Sequence, residues 1–238
     1  MCTVSAVPTR DGFRVACNRD EQHSRPAASS PRRCNVGTRT ALFPVDPVGG
    51  GTWIGVNDAG LTLALLNRND KDHAQRHAGA TRSRGIIIPS LLRHESIAEV
   101  LEAASTLDLA AYEPFHLCAI TRTDVAFASS DGCELSTAWR PFVRPMMFTS
   151  SGLGDALVAG PRSKLFDGLV LAHERSWVEG QARFHAHRWP ERPHLSVVMW
   201  RVDARTVSRS LIDVSAGAIQ FHYEPLAALQ PLPHSLSQ

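Results

Sequence analysis

At 238 residues, with 43% hydrophobic and 20% charged side chains, the chain has the make-up of one large globular domain able to bury its own core. A net charge of +2, with arginines scattered and only Lys71 and Lys164 beside them, argues against a nucleic-acid surface, and no run approaches the roughly 18 apolar residues of a membrane span. Five cysteines without a Cys-x-x-Cys pair argue against a disulfide framework or a structural zinc site; with no secretory-type opening, the expected compartment is the cytoplasm.

The chain begins Met1-Cys2-Thr3-Val4-Ser5-Ala6-Val7. Cys2 is small enough for an aminopeptidase to remove Met1, which would leave a thiol and a free α-amine on one residue. Such a residue carries a nucleophile and its base at nearly fixed geometry. The amine titrates at about 7.7–8.0 and the thiol at about 8.5 in unperturbed peptides, so both change protonation near neutral pH. Residues 2–7 and 13–18 read as two strands joined by the turn cluster Pro8-Thr9-Arg10-Asp11-Gly12. This hairpin would return Asn18, Arg19, Asp20 and Glu21 to the side of Cys2. There an arginine can steady a thiolate or a substrate carboxylate, and Asp20 or Glu21 can hold the ammonium. The plainer alternative is an edge hairpin with its charges in solvent.

Residues 22–35, rich in Ser, Arg and Pro, read as a long loop, with a short strand at 40–44 and an irregular segment at 45–51. The three glycines Gly49-Gly50-Gly51 fit neither a P-loop nor a dinucleotide fingerprint, and are expected to let backbone pass close to the core or the site. Residues 52–57 and 61–67 form the clearest hairpin, its second strand apolar on both faces and therefore buried between layers. Asn67 ends that strand, either as an oxyanion donor facing a site or as the opening of the next turn.

A helix interrupted by Pro89 is expected over 83–94, and a second over 96–107, opened by the capping box Ser96-Ile97-Ala98-Glu99. Strands follow at 115–121, 125–129 and 146–150, then a helix over 161–177 with proline in its first turn. Residues 179–193 read as a polar loop, residues 195–202 and 206–212 as a final hairpin, and 223–238 as a disordered tail behind a single domain of residues 1–222. Hairpins separated by a block of helices make an α+β chain. His73 and His77, four apart, and His185 and His187 are read as solvated rather than as metal ligands. Cys17, Cys118 and Cys133 are read as inert, and no Gly-x-Ser-x-Gly elbow suggests a serine hydrolase.

Met1-Cys2 and Ala16-Cys17-Asn18-Arg19-Asp20-Glu21, followed by Ser24-Arg25-Pro26, resemble the NRDE family of transport and Golgi organisation protein 2-like proteins. Gly50-Gly51-Thr52-Trp53-Ile54-Gly55 and Leu63-Ala64-Leu65-Leu66-Asn67 are similar to that family's next segments. The family in turn resembles N-terminal-nucleophile hydrolases of the penicillin V acylase and bile-salt hydrolase type. The resemblance implies a four-layer αββα sandwich, with Cys2, Arg19, Asp20 and Asn67 as catalytic groups. Glu21 and Trp53 would face the substrate. Two positions depart from the pattern: Ser151, in Thr149-Ser150-Ser151-Gly152, stands nearest to a family asparagine, and His194, after Pro193, aligns with a Thr-Arg. Both are taken as substrate-binding. Which of Asp20 and Glu21 holds the amine stays open.

Two readings of function stand side by side. In the first, Cys2 attacks a small-molecule amide or thioester, with no metal and no required cofactor. In the second, the same fold binds haem, an acyl-CoA or a lipid-like ligand without turning it over.

Overall fold

Alternation in Cys2-Thr3-Val4-Ser5-Ala6 sends Cys2, Val4 and Ala6 into one apolar core, while Thr3 and Ser5 meet polar groups on the opposite face. Both faces of this strand are covered, so nearly every residue in it is buried. The computed structural model describes residues 2–69 and 80–227, which leaves His73 and His77 outside the described part.

In chain order the elements are β1 (Cys2–Thr9), β2 (Gly12–Gln22), β3 (Arg32–Val36), β4 (Arg39–Phe43), β5 (Ile54–Asn57), β6 (Thr62–Asn67), α1 (Ile87–Leu91), α2 (Ile97–Ser105), β7 (Phe115–Ile120), β8 (Asp124–Ser130), β9 (Leu135–Pro141), β10 (Met146–Thr149), α3 (Asp155–Phe166), α4 (Trp177–His185), β11 (Ala204–Ser215) and β12 (Ile219–Pro225). They make two antiparallel sheets. One has the order β10-β1-β2-β11-β12, the other β3-β4-β5-β6-β7-β8-β9.

The sheets pack face to face over a core that includes Val4, Val15, Ile54, Ala64, Cys118 and Ile212. Helices α1 and α2 cover the outer face of the seven-stranded sheet through Ile87, Leu91, Ile97 and Val100. Helices α3 and α4 cover the outer face of the five-stranded sheet through Phe166 and Phe184. The result is the four-layer αββα sandwich. The capping box opens α2 as expected: Ser96 Oγ accepts from Glu99 N at 3.2 Å and Glu99 Oε2 accepts from Ser96 N at 3.1 Å.

Several elements differ from the sequence reading. The expected loop over 22–35 ends in β3, which borrows its regularity from pairing with β4. The solvent-facing strand β9 was not anticipated, because it is an edge strand with little apolar alternation. The helix expected over 161–177 starts at Asp155, carries Pro161 inside it, and widens into a π-type turn over 167–171. A separate helix, α4, occupies the supposed polar loop. Gly180 admits it, since a Cβ there would stand 2.2 Å from the Leu169 carbonyl oxygen. The last hairpin is β11 with β12, not 195–202 with 206–212. With β2 on one side of β11 and β12 on the other, residues 195–202 have no lane left and make only the bridge Trp200–Arg205. The chain therefore stays ordered past residue 222, with Phe221 and Tyr223 packed on the core between the sheets.

Candidate active site

The register of the first hairpin sets Cys2 directly opposite Arg19. Both side chains leave the same face of the sheet, toward its partner, and Glu21 follows two residues on. They open on a cleft of about 550 Å³ at the end of the sandwich, whose wall also carries Trp53, Asn67, Asp46 and Arg84. Cys2 itself is only 3% exposed.

Arg19 is fixed from three sides. It donates to Glu21 Oε2 at 3.2 Å, pairs with the Asp46 carboxylate, and lies 4.2 Å above the centre of the Trp53 ring. Asp46 also accepts a two-pronged bond from Arg25, at 3.1 and 2.9 Å, and main-chain bonds from Val48 and Gly49 at 2.9 Å each. Burial works to raise the Asp46 pKa. The bonds from Arg25 and Gly49 and the charges of both arginines outweigh it and hold the carboxyl at about 2. Asp46 escaped the sequence reading. Its turn chemistry was visible in Asp46-Pro47-Val48-Gly49, but its pairing with Arg19 joins segments far apart in the chain.

Cys17, read as inert, lies behind Cys2: on β2 it is diagonal to it, and both pack in the core between the sheets. The neighbouring Cys17 thiol lowers the Cys2 pKa more than burial raises it, with the charges of the N-terminal amine and of Arg19 acting in the same direction. The nearness of Cys2, together with burial, pushes the Cys17 thiol well up. Cys2 is thereby the member of the pair that ionises first.

The Cys2 main-chain nitrogen donates to Ser150 Oγ at 3.3 Å, and Ser150 N returns a bond to the Cys2 carbonyl at 2.9 Å. The serine that meets Cys2 is thus Ser150. The neighbouring Ser151 is occupied in the turn that starts α3: its N–H donates to Asp155 Oδ1 at 2.8 Å and its hydroxyl accepts from Leu153 N at 3.2 Å. Asp20 points to the outer face of the sheet, where it is buried and the Thr206 hydroxyl donates to it at 2.6 Å. Burial raises its pKa against the charge of Arg162. His194 lies in a short 3-10 turn at Pro193–Leu195. Cys2, Arg19, Glu21, Trp53 and Asn67 line the cleft, whereas Asp20, Ser151 and His194 lie outside its lining.

The glycine segment forms one wall. A Cβ on Gly51 would stand 2.2 Å from the Gly85 carbonyl carbon, and Thr52 N donates to Gly85 O at 2.9 Å. His185, read as a solvated loop residue, is instead buried on the outer face of the five-stranded sheet, bound to Ser5 Oγ at 2.8 Å and Asn18 Oδ1 at 3.0 Å. No cluster of three His, Cys, Asp or Glu able to hold a metal occurs among the described residues, and no described helix is long and apolar enough to cross a membrane.

An αββα sandwich whose first strand begins with a cysteine facing an end cleft defines the N-terminal-nucleophile hydrolase type of fold. Within that class, the chain belongs to the Transport and Golgi organisation 2 family, whose model matches residues 1–172. No curated protein matches the chain. Among solved structures it is similar to the Caenorhabditis elegans ortholog of N-acylethanolamine-hydrolyzing acid amidase, with a TM-score of 0.58 and 13% identity over 89% of this chain and 92% of that one. It is also similar to an arginine-to-leucine variant of the conjugated bile acid hydrolase from Clostridium perfringens, with a TM-score of 0.53 and 14% identity over 94% of this chain and 92% of that one.

Proposed function

We propose that this protein is an N-terminal-nucleophile hydrolase of a small-molecule amide or thioester, with Cys2 as its nucleophile. The observation that carries the reading is the Cys2 thiol, set in the cleft wall opposite an Arg19 that Asp46, Glu21 and Trp53 hold in place. The two similar structures, named for hydrolysing an acylethanolamine and a conjugated bile acid, support an amide-type bond as the target.

Once Met1 is removed, the Cys2 nitrogen is an α-amine resting on the Ser150 hydroxyl. The thiolate attacks the acyl carbon, forming a C–S bond and placing the carbonyl electron pair on oxygen. The Asn67 amide, which lines the cleft, would donate to that oxyanion. The amine takes up the thiol proton and passes it to the leaving amine or thiolate as the tetrahedral intermediate collapses. Water then hydrolyses the acyl-cysteine by the same route in reverse. Arg19, held by Asp46, Glu21 and Trp53, keeps positive charge beside the sulfur. The free thiols of all five cysteines suit work in a reducing compartment such as the cytoplasm.

The test is intact mass of the purified protein before and after an acylating thiol probe, followed by hydrolysis assays on amide and thioester panels. Loss of Met1, one label that disappears in Cys2→Ser, and turnover abolished in Cys2→Ala are the expected results. Retained Met1, or labelling indifferent to Cys2, would sink the mechanism and turn attention to binding of haem or an acyl-CoA without turnover.

A further inference from the structure

Arg162 is the bulkiest of the fully buried side chains, 1% exposed, and it comes from α3 on the far side of the sheet from Cys2. It shares one helical face with Val158 and Phe166, the other buried residues of α3. A buried guanidinium is costly unless its donors are met, and here they are used on particular atoms. Nε donates to Leu195 O at 3.0 Å and Nη2 to Ser196 O at 2.7 Å. Nη1 is shared between Thr3 Oγ1 and Thr149 Oγ1, each at 2.7 Å, and these hydroxyls are themselves 3.1 Å apart.

The two threonines are not arbitrary partners. They stand opposite each other on β1 and β10. One step along each strand lie Cys2 and Ser150, the nucleophile residue and the hydroxyl that meets its nitrogen. Because neighbouring side chains on a strand point to opposite faces, the Arg162 clamp and the Cys2 site act on the same short pair of strand ends from opposite sides. β10 is an edge strand of only four residues, so few other bonds hold it in register.

We propose that Arg162 is a positioning residue for the nucleophile. By tying Thr3 to Thr149 it fixes the distance and angle between the Cys2 nitrogen and the Ser150 hydroxyl. The proposal rests on reading Cys2 as the reactive residue, but its test needs no substrate. The rate of Cys2 alkylation by iodoacetamide is followed by mass spectrometry across a pH series, beside thermal melts, for wild type, Arg162→Lys, Thr149→Val and Thr149→Ser. Thr149→Val removes one acceptor at constant size, and Thr149→Ser restores the hydroxyl. Alkylation slowed roughly tenfold in Arg162→Lys and Thr149→Val, with an altered pH profile and recovery in Thr149→Ser, is the expected outcome, matching the loss of about one charge-assisted hydrogen bond. Lower melting temperatures with unchanged Cys2 alkylation would overturn the proposal and leave Arg162 a structural residue. If Arg162→Lys fails to fold, the two Thr149 variants decide. An effect on alkylation without any hydrolysis on the panels would remove the proposed reaction and leave this inference standing.

Discussion

The guanidinium of Arg19 lies 4.2 Å above the centre of the Trp53 ring. Arg19 belongs to the five-stranded sheet, and Trp53 stands at the entry to β5 of the seven-stranded one, so this contact ties the two layers together at the mouth of the cleft. A flat, weakly hydrated cation on an indole face is favourable, and it leaves the edge of Arg19 free to meet Asp46 and Glu21.

Trp53→Phe should keep stability within about 1.5 kcal/mol of wild type, because a smaller flat aromatic ring still faces Arg19 and the buried indole N–H has no partner to lose. Trp53→Ala should cost about 3–5 kcal/mol through the cavity it leaves. Urea unfolding of the two variants checks this. An equal loss in both would mean that the indole nitrogen, not the ring, carries the effect.

Asp46→Asn removes the negative member of a buried cluster with Arg19 and Arg25, and should lower stability at neutral pH by about 3–5 kcal/mol. Its pH dependence has a definite sign. Asp46 is depressed to about 2 in the fold and titrates at about 3.9 when unfolded. Its contribution is therefore present above about pH 4 and is lost as pH falls toward 2. Unfolding curves between about pH 5 and 2 should show wild type losing stability faster than Asp46→Asn.

Cys17→Ala takes away the neighbouring thiol that lowers the Cys2 pKa. The pH at which Cys2 becomes half-reactive toward iodoacetamide should rise, while Cys17→Ser, which keeps a donor, should shift it less. An unmoved midpoint in Cys17→Ala would leave the charges of the N-terminal amine and of Arg19 as the cause of the acidic thiol.

His185 is buried, and burial, followed by the charges of Arg209 and Arg162, lowers its pKa to about 3. The unfolded chain takes up this proton near pH 6.5, so between about 6.5 and 3 the unfolded state binds more protons and stability falls as pH falls. The slope from this one group reaches about 1.4 kcal/mol per pH unit. His185→Gln should be less stable near neutrality, since it disturbs the bonds to Ser5 and Asn18, but its stability should fall less steeply from about pH 7 to 5. Parallel curves for the two proteins would show that His185 takes its proton in the fold.

The parts of the site carried by local pattern were legible in the chain itself. The turn at Pro8–Gly12 and the alternation on either side of it determined the hairpin, and a hairpin of that length must bring Arg19 back beside Cys2. The run from Leu61 to Asn67 likewise determined a buried strand ending in an amide. Which residues meet across the layers was decided only by the tertiary structure. Asp46 reaches Arg19 because the glycines at 49–51 let the chain cross Gly85. Cys17 came to lie behind Cys2 because its strand face, rather than its neighbours in sequence, puts it there. Ser150 was chosen over Ser151 by the register of β10 on β1, since a one-residue step reverses the direction of a side chain. Likewise α4 arose where composition suggested a loop, because its buried face is made of Gly180, Gln181, Phe184 and His185. Two of those residues, Gln181 and His185, find their side-chain hydrogen bonds against Ser5 and Asn18 of a distant hairpin, and a local reading has no access to such partners.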